Sequence, residues 1–492
     1  MRSLLPSLLP VGLAALLMTA GCSKDKDVEP PATLIYFPQT LEVKKLWGEN
    51  VGGGKKQMVQ RLGLGPAVDN GVVFAASDKG EVLATQLDTG RRVWLKKLKL
   101  PLSAGPSAGA GMVVLGSSKG TVVALDGATG RELWRTGLNS ELLSPPAISQ
   151  KIVVVRSVDG RLHGIDAHDG KELWSVEQQV PRLSLRGTAT PIIAKEVAIS
   201  GFDNGKVMAV SLTTGDTVWD TALASPHGRT ELDRLVDVDS AVRTVGENVF
   251  ATGFQGRTAM LAIDSGQVWW AHDMSSYRGM AVDDDNLYVT QSDGIIVALR
   301  QRDGSELWRN QKMKLRRLTT PVLTSTAVVV ADFQGYLHWV DKTTGQLVAR
   351  QRVAKKELIS NPPVAVGDTV VVMTDRGKMS AYQATPGGAV PPGASKVPGV
   401  AKVAKAPKVK KQKGAKAAPA TPPATESTTP PATAPATPPA TESTAPPATE
   451  PTPAPATPPA TEPTPPSAAA PTPPATQPAA PPAAPATPPP AP

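Results

Sequence analysis

The chain has 492 residues, a formal net charge of +9 and a single cysteine. One cysteine excludes a disulfide-stapled fold, so a packed core has to supply the stability. The positive charge does not signal nucleic-acid binding, because eight lysines cluster between Lys396 and Lys416, outside the repeated part of the chain.

Residues 1–21 read as a secretory signal: Arg2, an apolar run from Leu4 to Met18, then small residues. The run is short and interrupted by Pro6 and Pro10, which argues against a membrane span. It ends in Thr19-Ala20-Gly21-Cys22, which is similar to the lipobox of bacterial lipoproteins, with Thr19 where Leu is usual. The resemblance implies cleavage before Cys22 and its acylation. Several acyl chains anchor stably where one alone does not. Ser23 stands where lipoproteins kept in the inner membrane often carry Asp, so the resemblance implies the outer membrane, facing the periplasm. Residues 22–39 follow as a polar, Pro-bearing tether.

Residues 40–384 form the repeat region. A Gly followed four residues later by Trp recurs at Gly90–Trp94, Gly130–Trp134, Gly170–Trp174, Gly215–Trp219, Gly266–Trp270 and Gly304–Trp308. An interval of about 40 residues signals stacked supersecondary units. Within each unit, short β-branched runs are bounded by Gly, Asp or Ser, as in Met112–Gly116 and Thr121–Asp126. Tight hairpins are expected at Lys79-Gly80, Lys119-Gly120, Asp159-Gly160, Asn204-Gly205, Gln255-Gly256, Asp293-Gly294, Gln334-Gly335 and Arg376-Gly377. A further strand precedes most of these, often announced by Pro. The expected fold is therefore all-β: an eight-bladed β-propeller of four-stranded antiparallel blades. The repeated Trp is expected to fill the gap between neighbouring sheets. The Asp of Leu87-Asp88, Leu125-Asp126, Ile165-Asp166, Ile263-Asp264 and Val340-Asp341 is expected to bond its own turn.

Ring closure is also readable. Val43–Trp47 stands alone at the front, and no Gly-x-x-x-Trp follows the last strand near Tyr382. The N-terminal strand is expected to complete the last blade. One unit lacks its Trp, having Gly345-Gln-Leu-Val-Ala349. Val51-Gly-Gly-Gly-Lys55 reads as a loop after the closing strand.

From residue 385 the composition changes to Lys-rich, then Pro-, Ala- and Thr-rich. Beyond Lys416 there is no aromatic and no branched apolar residue, too little apolar surface to offset ordering entropy. Residues 385–492 read as a disordered, semi-stiff tail. Its Lys run reads as solvated; contact with anionic lipid, lipopolysaccharide or cell-wall polymer is the alternative.

Catalytic signals are sparse. His163, His168, His227, His272 and His338 do not pair at zinc-ligand spacing, and there is neither a Gly-x-Ser-x-Gly elbow nor a phosphate-binding Gly-Lys-Thr. The phrase Asp-x-x-Thr-Gly-x-x-x-Trp resembles the repeat of pyrroloquinoline-quinone dehydrogenases, also eight-bladed propellers, which hold the quinone with calcium on the axis. Many of those enzymes carry a vicinal disulfide, which a chain with one cysteine lacks. Neither a cofactor, a metal nor an enzymatic activity is expected.

Two stretches break the repeat. Pro181-Arg-Leu-Ser-Leu-Arg-Gly187 opens one blade, and Glu231-Leu-Asp-Arg-Leu-Val-Asp-Val-Asp239 lies in the longest interval between hairpin glycines. Aliphatic residues beside Arg and Asp suit a protein partner. The bland reading stands beside it: Leu183 and Leu185 cap the core, and Asp237 and Asp239 cap turns. Together with the lipobox and the blades, these stretches resemble the BamB family of outer-membrane protein assembly lipoproteins, over roughly residues 22–384. The resemblance implies a non-enzymatic scaffold of the β-barrel assembly (BAM) complex that binds the POTRA domains of BamA. It implies Leu183, Leu185, Arg186, Asp237 and Asp239 as contact positions, and unfolded outer-membrane proteins as clients. Its alternatives are a quinone-dependent dehydrogenase and a cell-wall-binding propeller driven by the tail.

Overall fold

The computed structural model describes residues 29–52, 63–355 and 357–387. The signal segment, Cys22, most of the 51–55 loop and the tail from residue 388 onward lie outside the described residues. Strands β1 to β32 form eight four-stranded antiparallel sheets. Blade 1 spans Ala67–Lys97, blade 2 Leu102–Gly137, blade 3 Ala147–Glu177, blade 4 Ile192–Ala222, blade 5 Arg243–Asp273, blade 6 Met280–Asn310 and blade 7 Val322–Arg352. Blade 8 combines Val364–Pro386 with β1 (Leu41–Asn50), its fourth strand, in register Trp47↔Ala381 and Leu41↔Pro386. The ring thus closes as a propeller on the N-terminal strand, which removes the free seam a linear stack would leave. The last strand outlasts the repeat region expected from composition, because Thr385 and Pro386 still pair with Glu42 and Leu41.

The second and third strands of each blade are covered on both faces, so they are near-continuous apolar runs such as Val113–Leu115 and Val122–Leu125. The fourth strands are more exposed, and in blades 2, 3 and 4 each buries one residue, the Trp. Eight apolar clusters result, each shared by two neighbouring blades. The cluster between blades 1 and 2, for example, joins Phe74, Val82 and Trp94 to Val113, Leu115 and Val123.

The Gly and the Trp of the repeated phrase serve two different seams. Each Trp reaches forward, and its indole N–H donates to a turn carbonyl of the next blade: Trp47 to Leu87, Trp94 to Gly127, Trp134 to Ala167, Trp174 to Leu212, Trp219 to Ile263, Trp270 to Gln301 and Trp308 to Lys342. Each Gly receives the ring of the previous blade. A Cβ on Gly130 would sit 2.8 Å from the Trp94 ring, and the backbone there has φ +70°. Glycine meets both demands, close approach and a left-handed conformation. Blade 7, which lacks the Trp at position 349, exchanges large for small across one ladder rung: Trp339, fully buried, pairs with Ala349 where blade 6 pairs Ala298 with Trp308.

The turn expectation needs two corrections. Asp126, Asp166 and Asp341 accept from backbone N–H groups two or three residues on, at 2.7–3.3 Å. Asp88 and Asp264 do not occupy that position; the backbone bonds that close the turn put Gln86 and Ala262 there. Their Leu-Asp and Ile-Asp pairs are shifted by two residues, a slip that apolar–acid pairing alone cannot detect. At the blade 5 hairpin the left-handed residue is Gln255 (φ 49°) instead of Gly256. Gly256 serves close approach: a Cβ there would lie 2.6 Å from the Cβ of Ala224.

Candidate functional site

In an antiparallel four-stranded blade, the hairpin between strands two and three and the connection to the next blade emerge at the same end. The connections 178–191 (blade 3 to 4) and 223–242 (blade 4 to 5) therefore share one face of the ring. They meet there. The Leu185 amide donates to Asp237 Oδ2 at 3.1 Å, and a Cβ on Gly187 would strike Asp239 Oδ2 at 2.4 Å. Leu183, exposed, lines an open groove of about 220 Å³ with Pro181, Arg182, Pro226, Glu231 and Arg234. Leu232 beside it is 68% exposed. Thr230 and Asp233 bond each other's backbone amides reciprocally at 3.1 Å, which fixes the turn carrying Leu232.

The five residues singled out by sequence are thus brought together but occupy two levels. Leu183 and Arg186 face outward and Leu185 is half-buried. Arg186 Nη2 donates to Glu141 Oε1 at 3.0 Å across to the connection between blades 2 and 3. Asp237 is fully buried, and its backbone bridges Phe254. Arg186 and Asp239 also line the axial cavity of about 260 Å³, together with Arg243 and Tyr277.

Sequence reasoning missed Asp203 and Arg156 beneath these loops. Asp203, Asp237 and Asp239 present oxygens within 4.8 Å of one another. Arg156, buried and stacked on Phe202 at 4.4 Å, approaches Asp203 Oδ1 at 3.4 Å. Burial, then Asp239 and Asp203, push the Asp237 carboxyl up to about 9. Burial also raises Asp203 against the pull of Arg156. A carboxyl cluster with one arginine holds a proton or a hard cation as readily as it holds charge. Asp237 Oδ1 has no hydrogen-bond partner among the described residues. Asp203 precedes an ordinary Asn-Gly hairpin and Arg156 ends a strand, so neither carried a sequence signal.

Ser157, His163 and Glu172 have the spacing of a nucleophilic triad: Ser157 Oγ lies 2.9 Å from His163 Nε2, and His163 Nδ1 lies 2.8 Å from Glu172 Oε1. Ser157 is fully buried, however, and its hydroxyl also contacts Asp159 and the Arg161 carbonyl. The same hairpin position carries Asp332–His338 at 2.9 Å in blade 7. The recurrence marks a brace across the hairpin.

Solved quinohemoprotein alcohol dehydrogenases share the architecture. The enzyme from Comamonas testosteroni superposes with a TM-score of 0.56 over 71% of this chain and 77% of its own, at 12% identity, which speaks for the fold alone. The molecule is thus an eight-bladed β-propeller with an elaborated loop face. The family profile described as outer membrane protein assembly factor BamB matches residues 78–310. The outer membrane protein assembly factor BamB of Pseudomonas aeruginosa is 46% identical over 75% of this chain and 97% of its own length. That of Escherichia coli is 34% identical over 75% and 97%. The BamB crystal structure from Moraxella catarrhalis superposes with a TM-score of 0.63 over 70% of this chain and all of its own, at 25% identity. The chain belongs to the BamB family.

Proposed function

We propose that the protein is a non-enzymatic scaffold of the BAM complex, acylated at Cys22 and held on the periplasmic face of the outer membrane. It docks on the POTRA domains of BamA and supports insertion of outer-membrane β-barrel proteins. The family membership supports the assembly role, and the geometry of the 183–187 loop supports the docking face. The observation that carries the docking reading is the bond from the Leu185 amide to buried Asp237. It pins the loop from below and leaves Leu183 and Arg186 facing outward. In this division of labour Leu183 and Leu185 enter an apolar pocket of the partner, and Arg186 exchanges Glu141 for an acidic group. Asp237 and Asp239 are positioning residues. Truncating an interface anchor costs about 2 kcal/mol or more.

The test is capture of a BamA POTRA fragment by wild type and by the Leu183→Ala/Arg186→Ala double variant. Loss of capture by a normally folded variant is expected; unchanged capture removes this face from the interface. Deleting residues 388–492 is expected to leave capture intact, whereas a tail-driven propeller would lose its function.

A further inference from the structure

The N-terminal segment is not a free leash. Residues 29–40 lie along the outer side of blades 6 and 7, and each end is fastened. Glu29 pairs with Lys314 Nζ at 2.8 Å, and the Ala32 amide donates to the Lys314 carbonyl at 2.9 Å. Arg316 Nη1 donates to the Ala32 carbonyl at 2.9 Å, and Arg350 Nη1 to the Ile35 carbonyl at 3.0 Å. Phe37 lies 4.9 Å from the Arg350 guanidinium and packs with the Trp308 and Leu323 cluster. The Thr40 amide donates to the Val348 carbonyl at 2.9 Å.

The two arginines are themselves held from the core. Arg316 donates to Asp332 Oδ2 through Nε and Nη2, at 2.9 and 2.6 Å. His338 Nε2 donates to the same oxygen, and its Nδ1 accepts from Arg350 Nε at 3.3 Å. Burial lowers the histidine, which fits the neutral tautomer these bonds require. Burial alone would raise Asp332, but His338 and Arg316 outweigh it and hold the carboxylate down at about 2. The latch thus hangs on a network buried at Asp332, Arg316 and His338, the kind that fixes one geometry.

Its consequence is a short leash at a defined place. Lys314 and Arg316 sit in the connection from blade 6 to blade 7, on the same face as Leu183 and nearly across the ring from it. A chain spans at most about 3.5 Å per residue, so Cys22 lies within about 25 Å of Glu29; a spacer free up to Thr40 would reach about 60 Å. The connection itself is basic. Lys312 and Arg317 are exposed, Lys314 is partly so, and Lys355 of the next connection is exposed too. The acids facing them are Glu29 and Asp293, whose carbonyl accepts from Leu315. Leu315 and Arg317 both have left-handed backbones, φ 59° and 50°.

We propose that the blade 6–7 rim of the loop face rests on the membrane that holds the acyl anchor, with Lys312 and Arg317 bound to lipid phosphate. The proposal rests on acylation of Cys22. It divides one face between two partners: lipid at the blade 6–7 rim, protein at the blade 3–5 rim.

The test uses the full mature lipoprotein reconstituted in phosphatidylcholine vesicles with and without phosphatidylglycerol. Cys22 is the chain's one cysteine, so an added cysteine is the single labelling site once Cys22 is acylated. A dye at Gln311→Cys should be quenched by headgroup-bearing quenchers several-fold more than one at Glu231→Cys or Thr89→Cys. Lys312→Ser/Arg317→Ser should reduce that difference in anionic vesicles roughly tenfold, and raised salt should weaken it in the parent. Phe37→Ala/Arg350→Ala, which opens the latch, should equalise the three positions. Equal quenching at all three in an acylated parent overturns the proposal. Absence of acyl mass on Cys22 overturns it together with the anchoring reading, while POTRA capture reports separately on the docking face.

Discussion

The seams between blades and the loop junction over blades 3 to 5 are built on opposite terms. At the seam between blades 2 and 3 the large group has its partner: Trp134 fills an apolar gap, its N–H meets the Ala167 carbonyl at 2.8 Å, and Gly170 makes room for its ring. At the junction, Asp203, Asp237 and Asp239 crowd together beside Arg156, and aliphatic residues point outward above them. Stability is concentrated where the repeat is regular. The departures from regularity are charged below and apolar above.

Breaking a seam should give the largest effect. Trp134→Ala removes a buried indole and its bond, with an expected loss of about 3–5 kcal/mol in denaturant unfolding. POTRA affinity per folded molecule should not change; if it fell with stability, the two regions would not be separable. Gly130→Ala should cost about 1–3 kcal/mol, since the new Cβ meets the Trp94 ring in a left-handed backbone.

The junction should respond to pH where the seams do not. The Asp237 carboxyl titrates near 9 in the fold and near 4 when unfolded. Its contribution is fully present below pH 4 and is lost as pH rises through about 9. Melting temperature should therefore fall between pH 5 and 9 more steeply in the parent than in Asp237→Asn. Parallel curves would show that the carboxyl is ionised throughout. Smallest of all, Glu141→Ala should change stability by less than about 1 kcal/mol, because its pair with Arg186 is partly exposed. A larger loss would mean that Glu141 supports the junction and not merely Arg186.

Most of the ring was legible because its signals are local. Turn glycines, β-branched runs and a recurring Trp each act within a few residues, and the orphan strand around Trp47 disclosed the closure. The slip at Asp88 and Asp264 shows the limit of such reading, since an apolar–acid pair looks the same two residues out of register. The site was half legible. Leu183, Leu185, Arg186, Asp237 and Asp239 stood out as interruptions of a period, but nothing local separated the outward leucine from the buried aspartate.

The sequence by itself determined the number of blades, the place of closure and the two stretches that depart from the repeat. Periodicity is a property of order along the chain and needs no contacts to be read. Only the tertiary structure decided that Asp203 and Arg156 lie beneath Asp237, that Trp339 compensates for Ala349, and that residues 29–40 are latched by Arg316 and Arg350. Those outcomes depend on groups up to hundreds of residues apart being brought within a few ångströms. Burial then alters what each group is worth, in hydrogen bonds and in charge, and no local pattern records it.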